Sequence, residues 1–146
     1  MAEQYINIFQ KYRMIAGYTQ EKAAELIGVN VSSIRKWENE SCEPEKRNVK
    51  LMAIVYNAPF LPSEWVMKDE IYAMVMPTVN QLPLPDTVMR FLKEYNDVKP
   101  LIDELIEIIY DGTMTAEQES RYAAIVKEID ELAGAALSFR YAKQCR

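Results

Sequence analysis

Apolar residues recur at intervals of three and four along most of the chain, the period of an amphipathic helix. Ile8, Phe9, Tyr12 and Ile15 predict a first helix, and Gly17 sits where a C-terminal cap would end it. Thr19 can cap a second helix whose inner face is Ala23, Ala24, Leu26 and Ile27; Lys22 stands where a full capping box would have Glu. Gly28 supplies a permissive backbone for a sharp turn, and Asn30 caps a third helix with Ile34 and Trp37 inward. Pro44 is placed to open a fourth helix, in which Val49, Met52, Ala53 and Tyr56 repeat. A short fifth helix is expected to begin at Ser63 and run from Glu64 to about Met74, with Trp65, Val66 and Tyr72 inward.

Three of the seven prolines fall within residues 75–86. Proline fixes φ and lacks an amide donor, so this stretch reads as an extended connector packed along a surface. The expected organisation is therefore a domain over 1–74, a connector over 75–86 and a helical hairpin over 87–146. Asp86 can cap a long helix with a near-heptad stripe of Val88, Phe91, Leu92, Tyr95, Val98, Ile102, Leu105 and Ile109. Pro100 should kink or divide it near Lys99, and Gly112 should end it. Thr115 with Gln118 forms a capping box for a second long helix, whose stripe is Tyr122, Ile125, Ile129, Leu132, Ala136 and Leu137. A short connection between two such helices implies an antiparallel pair, too small to stand alone, that packs on the N-terminal domain or on another copy. The fold class is all-α.

Composition narrows the chemistry. About half of the 146 residues are apolar, enough for a core, yet no run approaches the ~20 apolar residues of a membrane span. The N-terminus lacks the pattern of a signal peptide, so a cytoplasmic location is expected. Cys42 and Cys145 show no metal or redox spacing and read as free thiols. Histidine is absent, which removes the commonest general base and metal ligand. No cofactor, metal site or catalytic residue is expected, and the chain does not read as an enzyme. The net charge of −5 is uneven. Residues 1–58 hold eight Lys/Arg against seven Asp/Glu, a balance of +1, and the remainder holds nine against fifteen, a balance of −6. A polyanion would meet the first part and be repelled by the second.

The decisive string runs from Thr19-Gln20 through Ala24, Ile27-Gly28-Val29 and Ser32-Ser33-Ile34 to Trp37-Glu38-Asn39, with Pro44 beyond. From Phe9 to Tyr56 the chain resembles the Cro/C1-type (XRE) helix-turn-helix family of phage repressors and bacterial regulators. The resemblance implies a five-helix, lambda-repressor-like DNA-binding domain, with helix two over the DNA backbone and helix three in the major groove. Small Ala24 lets two helices meet steeply, Gly28 reverses the chain, and Ile34 fixes which side of helix three faces outward.

Gln20, at the start of helix two, reads either as a solvated helix-start residue or as a donor to a phosphate oxygen beside the helix amides. Asn39 resembles a second phosphate contact of the family, and helix-end capping is compatible with it. By family geometry Val31, Ser32 and Lys36 face the groove floor, with Asn30 and Arg35 towards the backbone. Lysine can donate to guanine, serine can serve either base type and valine can meet a thymine methyl; the plain alternative is a solvated face. Arg13 and Glu38 occupy places where the family commonly holds a buried ion pair joining helix one to helix three. Glu40 stands where relatives often have glycine, and Met14-Ile15-Ala16 lacks a cation relatives often place before the Gly17 position, so attraction to phosphate is reduced and two copies are expected to bind together. In the hairpin, Asp103, Glu104, Glu107, Glu128, Asp130 and Glu131 read as a solvated acidic face.

Together these point to a double-stranded DNA-binding transcriptional regulator of prophage or mobile-element type, acting as a repressor and a homodimer. The hairpin would serve pairing or a protein partner, with no membrane association. An antitoxin-like interaction module that autoregulates through its DNA-binding domain is the alternative.

Overall fold

The computed structural model describes residues 5–110 and 114–143, which are helical apart from turns, irregular stretches such as 77–82 and one isolated bridge between Pro83 and Lys143. The chain divides into two compact units between Tyr72 and Ala73. In the first, α1 (Ile8–Ile15), α2 (Gln20–Ile27), α3 (Val31–Glu38), α4 (Lys46–Val55) and α5 (Leu61–Val66) enclose one core. Phe9 and Tyr12 of α1, Ala23, Ala24 and Ile27 of α2, Ile34 and Trp37 of α3, and Val49 and Met52 of α4 are buried there. Burying a side chain the size of Ile34 stabilises by ~1.5–3 kcal/mol, so these positions fix the mutual angles of the helices. Ile15 and Leu26, expected inward, are exposed. A 100° step per residue carries Leu26 off a face already filled by Ala23, Ala24 and Ile27.

Local chemistry sets the helix ends. The Thr19 hydroxyl accepts from the Lys22 amide at 3.1 Å, and the Asn30 carboxamide from the Ser32 amide at 2.9 Å. Gly17 and Gly28 take φ of +74° and +81°, the left-handed conformation that a β-carbon disfavours. Glu40 makes the corresponding reversal after α3 at φ +60° without being glycine. Asn39 is the C-cap of α3, and its side-chain oxygen accepts from the Ser41 amide and hydroxyl.

Three expected boundaries shift. Helix α4 starts at Lys46 after Glu45, not at Pro44, which lies buried two residues earlier. The expected single helix from Glu64 to Met74 is two. Pro62 falls in the first turn, where no amide is needed, so α5 starts at Leu61. Asp69 then accepts from the Ile71 and Tyr72 amides at 2.8 and 3.1 Å, which starts a separate α6 (Glu70–Val75).

The second unit is built on α7 (Leu84–Val98), α8 (Leu101–Tyr110) and α9 (Ala116–Ser138), closed by a 3₁₀ turn over Phe139–Tyr141. Helix α7 begins at Leu84 with Pro85 in its first turn, so Asp86 lies inside the helix, where its charge favours the positive end of the dipole, and not at the cap. Pro100 divides α7 from α8 as the pattern predicts. The Thr115–Gln118 capping box is present in both directions, at 2.8 and 3.3 Å. The Gly112 stop and Cys145 lie outside the described residues. Helix α9 runs back along the other two: Arg121 pairs with Glu104 at one end, and the Leu84 amide donates to the Lys143 carbonyl at 2.9 Å at the other.

The 75–86 stretch, expected to be an extended connector packed along a surface, lies in this unit. Val79 is buried, the Asn80 amide donates to the Ser138 hydroxyl at 2.9 Å, and a β-carbon on Gly134 would collide with the Thr78 carbonyl oxygen. The inward seam also differs from the expected stripe. Thr87, Glu94 and Val98 of α7 are buried, with Phe91 half-buried, whereas Val88, Leu92, Tyr95, Ile102, Ile109, Tyr122 and Ile129 are exposed, as is Ala136. The apolar stripe is wider than the seam it was expected to fill.

Candidate nucleic-acid interface

Helices α2 and α3 are joined by Gly28 and Val29 with one cap residue, Asn30, so the chain turns within three residues. On α3, Ile34 and Trp37 anchor the helix in the core while Ser32, Arg35 and Lys36 are exposed. Val31, expected on the groove floor, is half-buried and packs partly against the core.

Behind this surface lies a connected polar network. Arg13 and Glu38 are 8 % and 3 % exposed. The guanidinium donates from Nε to Oε1 at 2.5 Å and from Nη2 to Oε2 at 2.9 Å, a bidentate pair, and its Nη1 donates to the Tyr18 carbonyl at 2.6 Å. The hydrogen bond to Glu38 holds the Arg13 pKa above its ordinary value. Gln20 joins the network: its amide donates to Glu38 Oε2 at 2.9 Å, and its carbonyl accepts from Arg35 Nε at 3.2 Å. Arg35 then reaches Glu21 at 3.1 Å. The chain Arg13–Glu38–Gln20–Arg35–Glu21 therefore ties α1, α3 and α2 together.

This alters two of the site readings. Gln20 is half-buried with one amide hydrogen engaged, leaving one donor and the α2 N-terminal amides for any outside acceptor. Arg35 is exposed but bridges to α2. Asn30 caps α3 through the Ser32 amide at 2.9 Å, while Asn39 is the C-cap residue by position and its side chain accepts from the Ser41 amide at 3.2 Å, beyond the helix.

Asn7 was missed in the sequence. Its oxygen accepts from the Phe9 and Gln10 amides, both at 3.1 Å, and its nitrogen donates to the Trp37 carbonyl at 2.7 Å. It thus caps α1 and latches that helix to the C-terminal end of α3. An Asn just before an apolar run is a cap signal, so the first role was legible and the second was not. Tyr12 and Glu64 form a further tie, the phenol donating at 2.8 Å, and burial with this carboxylate holds the Tyr12 pKa well above its ordinary value.

The cations sort into two sets. Among the described residues, Lys11 pairs with Glu64, Arg13 with Glu38, Lys22 with Glu25 and Arg35 with Glu21. Lys36 on α3, and Lys46, Arg47 and Lys50 on the first turns of α4, are exposed and carry no ion pair among those residues. Lys46 and Lys50, with Lys68, rim a groove of about 530 Å³ whose apolar floor includes Val49, Pro62 and Trp65.

In the second unit Glu128 and Glu131 lie beside Glu94, which the sequence reading did not place with them, and Lys93 supplies the counter-charge to Glu94 at 3.2 Å. Asp103, Glu107 and Asp130 are exposed.

Residues 9–61 match the family model described as helix-turn-helix. That segment, about a third of the chain, is a helix-turn-helix domain of the Cro/C1 (XRE) type, a DNA-binding domain of transcriptional regulators and not an enzyme family. No curated protein and no solved structure matches the chain. Among the described residues no helix is long and apolar enough to cross a membrane.

Proposed function

We propose that the chain is a sequence-specific repressor that inserts α3 into the major groove of an operator and works as a homodimer. One observation carries the reading: the exposed side of α3, with Ser32, Arg35 and Lys36, is backed by a buried ion pair and a glutamine that hold it at a fixed angle to α2. Preorganisation of this kind is what base readout needs, because a recognition helix that wobbles loses the directionality of its hydrogen bonds. Lys36 is the base-reading cation. Ser32 and the outer methyl of Val31 flank it, and Asn30 and Asn39 line the backbone edges of the same helix. Gln20 offers its remaining amide hydrogen to a phosphate. Lys46, Arg47 and Lys50 extend the phosphate contact beyond the helix-turn-helix itself.

Selection of duplexes from a random pool at fixed salt tests the proposal. The expected product is a motif with two-fold symmetry and half-sites about 34–36 Å apart, or a multiple of a DNA turn. Lys36→Ala should relax preference at one position per half-site, whereas Lys50→Ala should weaken all sequences alike and lower the salt slope by ~0.9 per copy. A pool that enriches nothing over its starting composition would sink the reading. A second reading, an antitoxin-like module in which the C-terminal unit neutralises a protein, draws on that unit's exposed apolar side chains; it requires a stoichiometric complex with a defined partner that persists without DNA.

A further inference from the structure

The groove between α4 and α5 holds chemistry that DNA binding leaves unused. It lies wholly within the first unit and encloses about 530 Å³, inside the ~300–1,000 Å³ range of small-molecule sites. Its floor is apolar. Val49 is 2 % exposed and belongs to the core, whereas Trp65 is half-buried, packed on that core and also lining the groove. Pro62, Trp65 and Val66 stand at i, i+3 and i+4 on α5, so one face of that helix supplies the rest of the floor.

The rim is cationic, and its charge is largely unanswered. Lys46 and Lys50 stand four apart on α4, a spacing at which like charges destabilise a helix. Lys46 is also in the first turn of α4, which has no acidic residue, so it opposes the positive end of the helix dipole. Lys68, two residues beyond α5, adds a third ammonium group. None of the three has an ion pair among the described residues. Two carboxylates border the groove, Glu43 and Asp69. Asp69 is committed elsewhere, because its oxygen accepts from the Ile71 and Tyr72 amides to start α6. That leaves Glu43 against three ammonium groups, an imbalance that a bound anion would relieve.

We infer that this groove is a binding site for a small aromatic acid, its ring lying on Trp65 and its carboxylate meeting the lysine rim. Charge complementarity selects an anion. The indole, the proline and the two valines select a flat ring over a sugar or a bare ion. A floor of four side chains has room for one ring system, whereas an amphipathic helix from a partner needs anchors spread over two turns or more. Lys46 and Lys50 are also among the cations proposed to meet phosphate. An occupied groove therefore neutralises part of that set and lowers affinity for DNA. This second step rests on the proposed function; the site itself does not.

Titration of the full chain with 3-phenylpropionate, read from the indole N–H signals in a proton–nitrogen correlation spectrum, tests the site without DNA. Trp37, only 6 % exposed and not part of the groove, is the internal control. The Trp65 signal should move saturably, with half-saturation at about 1 mM or below, and the Trp37 signal should move less. The neutral 3-phenyl-1-propanol should bind more than ~10-fold more weakly, for want of a charge-assisted hydrogen bond. Lys68→Gln, which alters no cation assigned to DNA, should weaken the acid by about threefold or more. No saturable shift up to about 10 mM acid, equal binding of acid and alcohol, or an unaffected Lys68→Gln variant each overturns the inference. For the second step, saturating acid should weaken binding of a fixed duplex by about tenfold at about 50 mM salt, the loss of roughly one phosphate contact. Duplex affinity indifferent to saturating acid would overturn the competition. A chain that binds the acid but no duplex would refute the DNA-binding function and leave the site standing.

Discussion

Replacing Arg13 by Met tests whether the Arg13–Glu38 pair holds the first unit together. The perturbation removes both hydrogen bonds to Glu38 and the bond to the Tyr18 carbonyl. Glu38 then remains 3 % exposed as wild-type geometry sets it, with the Gln20 amide as its remaining partner in the network. Breaking one side of a buried pair costs about 3–5 kcal/mol, and this pair is too dry for solvent to screen the loss. In a unit of this size each kcal/mol moves the midpoint by about 4–8 °C, so melting should fall by more than ~12 °C. Both tryptophans of the chain, Trp37 and Trp65, lie in the first unit, so fluorescence follows that unit alone. The double replacement Arg13→Met with Glu38→Met removes both desolvation penalties and should recover most of the loss. A single variant melting within ~2 °C of wild type, or a double variant as unstable as the two losses added, would refute the reasoning.

Three further outcomes follow from the helix ends and the strap. Glu40→Gly relieves a left-handed backbone at φ +60° and should stabilise the first unit by about 0.5–1 kcal/mol, read as a higher urea midpoint at unchanged slope. Asn7→Ala loses the α1 cap and the latch to Trp37, about 1–2 kcal/mol in the same fluorescence melt; Asn7→Asp keeps the cap, loses the donor and should cost less. Gly134→Ala, which in an open helix would gain ~1 kcal/mol, should instead destabilise the second unit, because the new methyl meets the Thr78 backbone and not a flexible side-chain tip. Its far-ultraviolet melt should drop with the tryptophan signal unmoved, and a higher midpoint would contradict the packing described for 77–80.

The first unit was legible because its signals are local and mutually reinforcing. Thr19 and Asn30 cap, Gly28 reverses, and Ile34 and Trp37 face inward, each readable within four residues of itself. The Arg13–Glu38 pair spans 25 positions and came from the family resemblance, since nothing in spacing alone brings those two together. The links through Gln20, Arg35 and Asn7 were not legible for the same reason: a polar side chain on a helix surface looks solvated until the neighbouring helix is placed. Asp69 was overlooked because the apolar period continues across it, yet its carboxylate starts a new helix. The C-terminal stripe was misread in the other direction. Periodicity reports which side of a helix is apolar, not how much of that side one partner can cover, and here the hairpin covers only half.

The distribution of ion pairs explains how an acidic chain can approach a polyanion. Of the eight cations in residues 1–58, four are paired among the described residues, and three of these set the geometry: Lys11, Arg13 and Arg35 fix α1 to α5, α1 to α3 and α3 to α2, while Lys22 pairs within α2. The four without ion pairs among the described residues are Lys36, Lys46, Arg47 and Lys50, the cations proposed above to meet DNA. If the three assigned to the DNA backbone, Lys46, Arg47 and Lys50, each neutralise one phosphate, a single copy has a salt slope of about −2.7, so its binding falls roughly 40-fold between 50 and 200 mM. Two copies acting together double that slope but also double the number of contacts made in one encounter, and the second contact set forms at the high local concentration that linkage provides. A lone chain of this charge therefore holds DNA only weakly at physiological salt. Under the proposed function, useful occupancy demands that a second set of the same cations be delivered with the first.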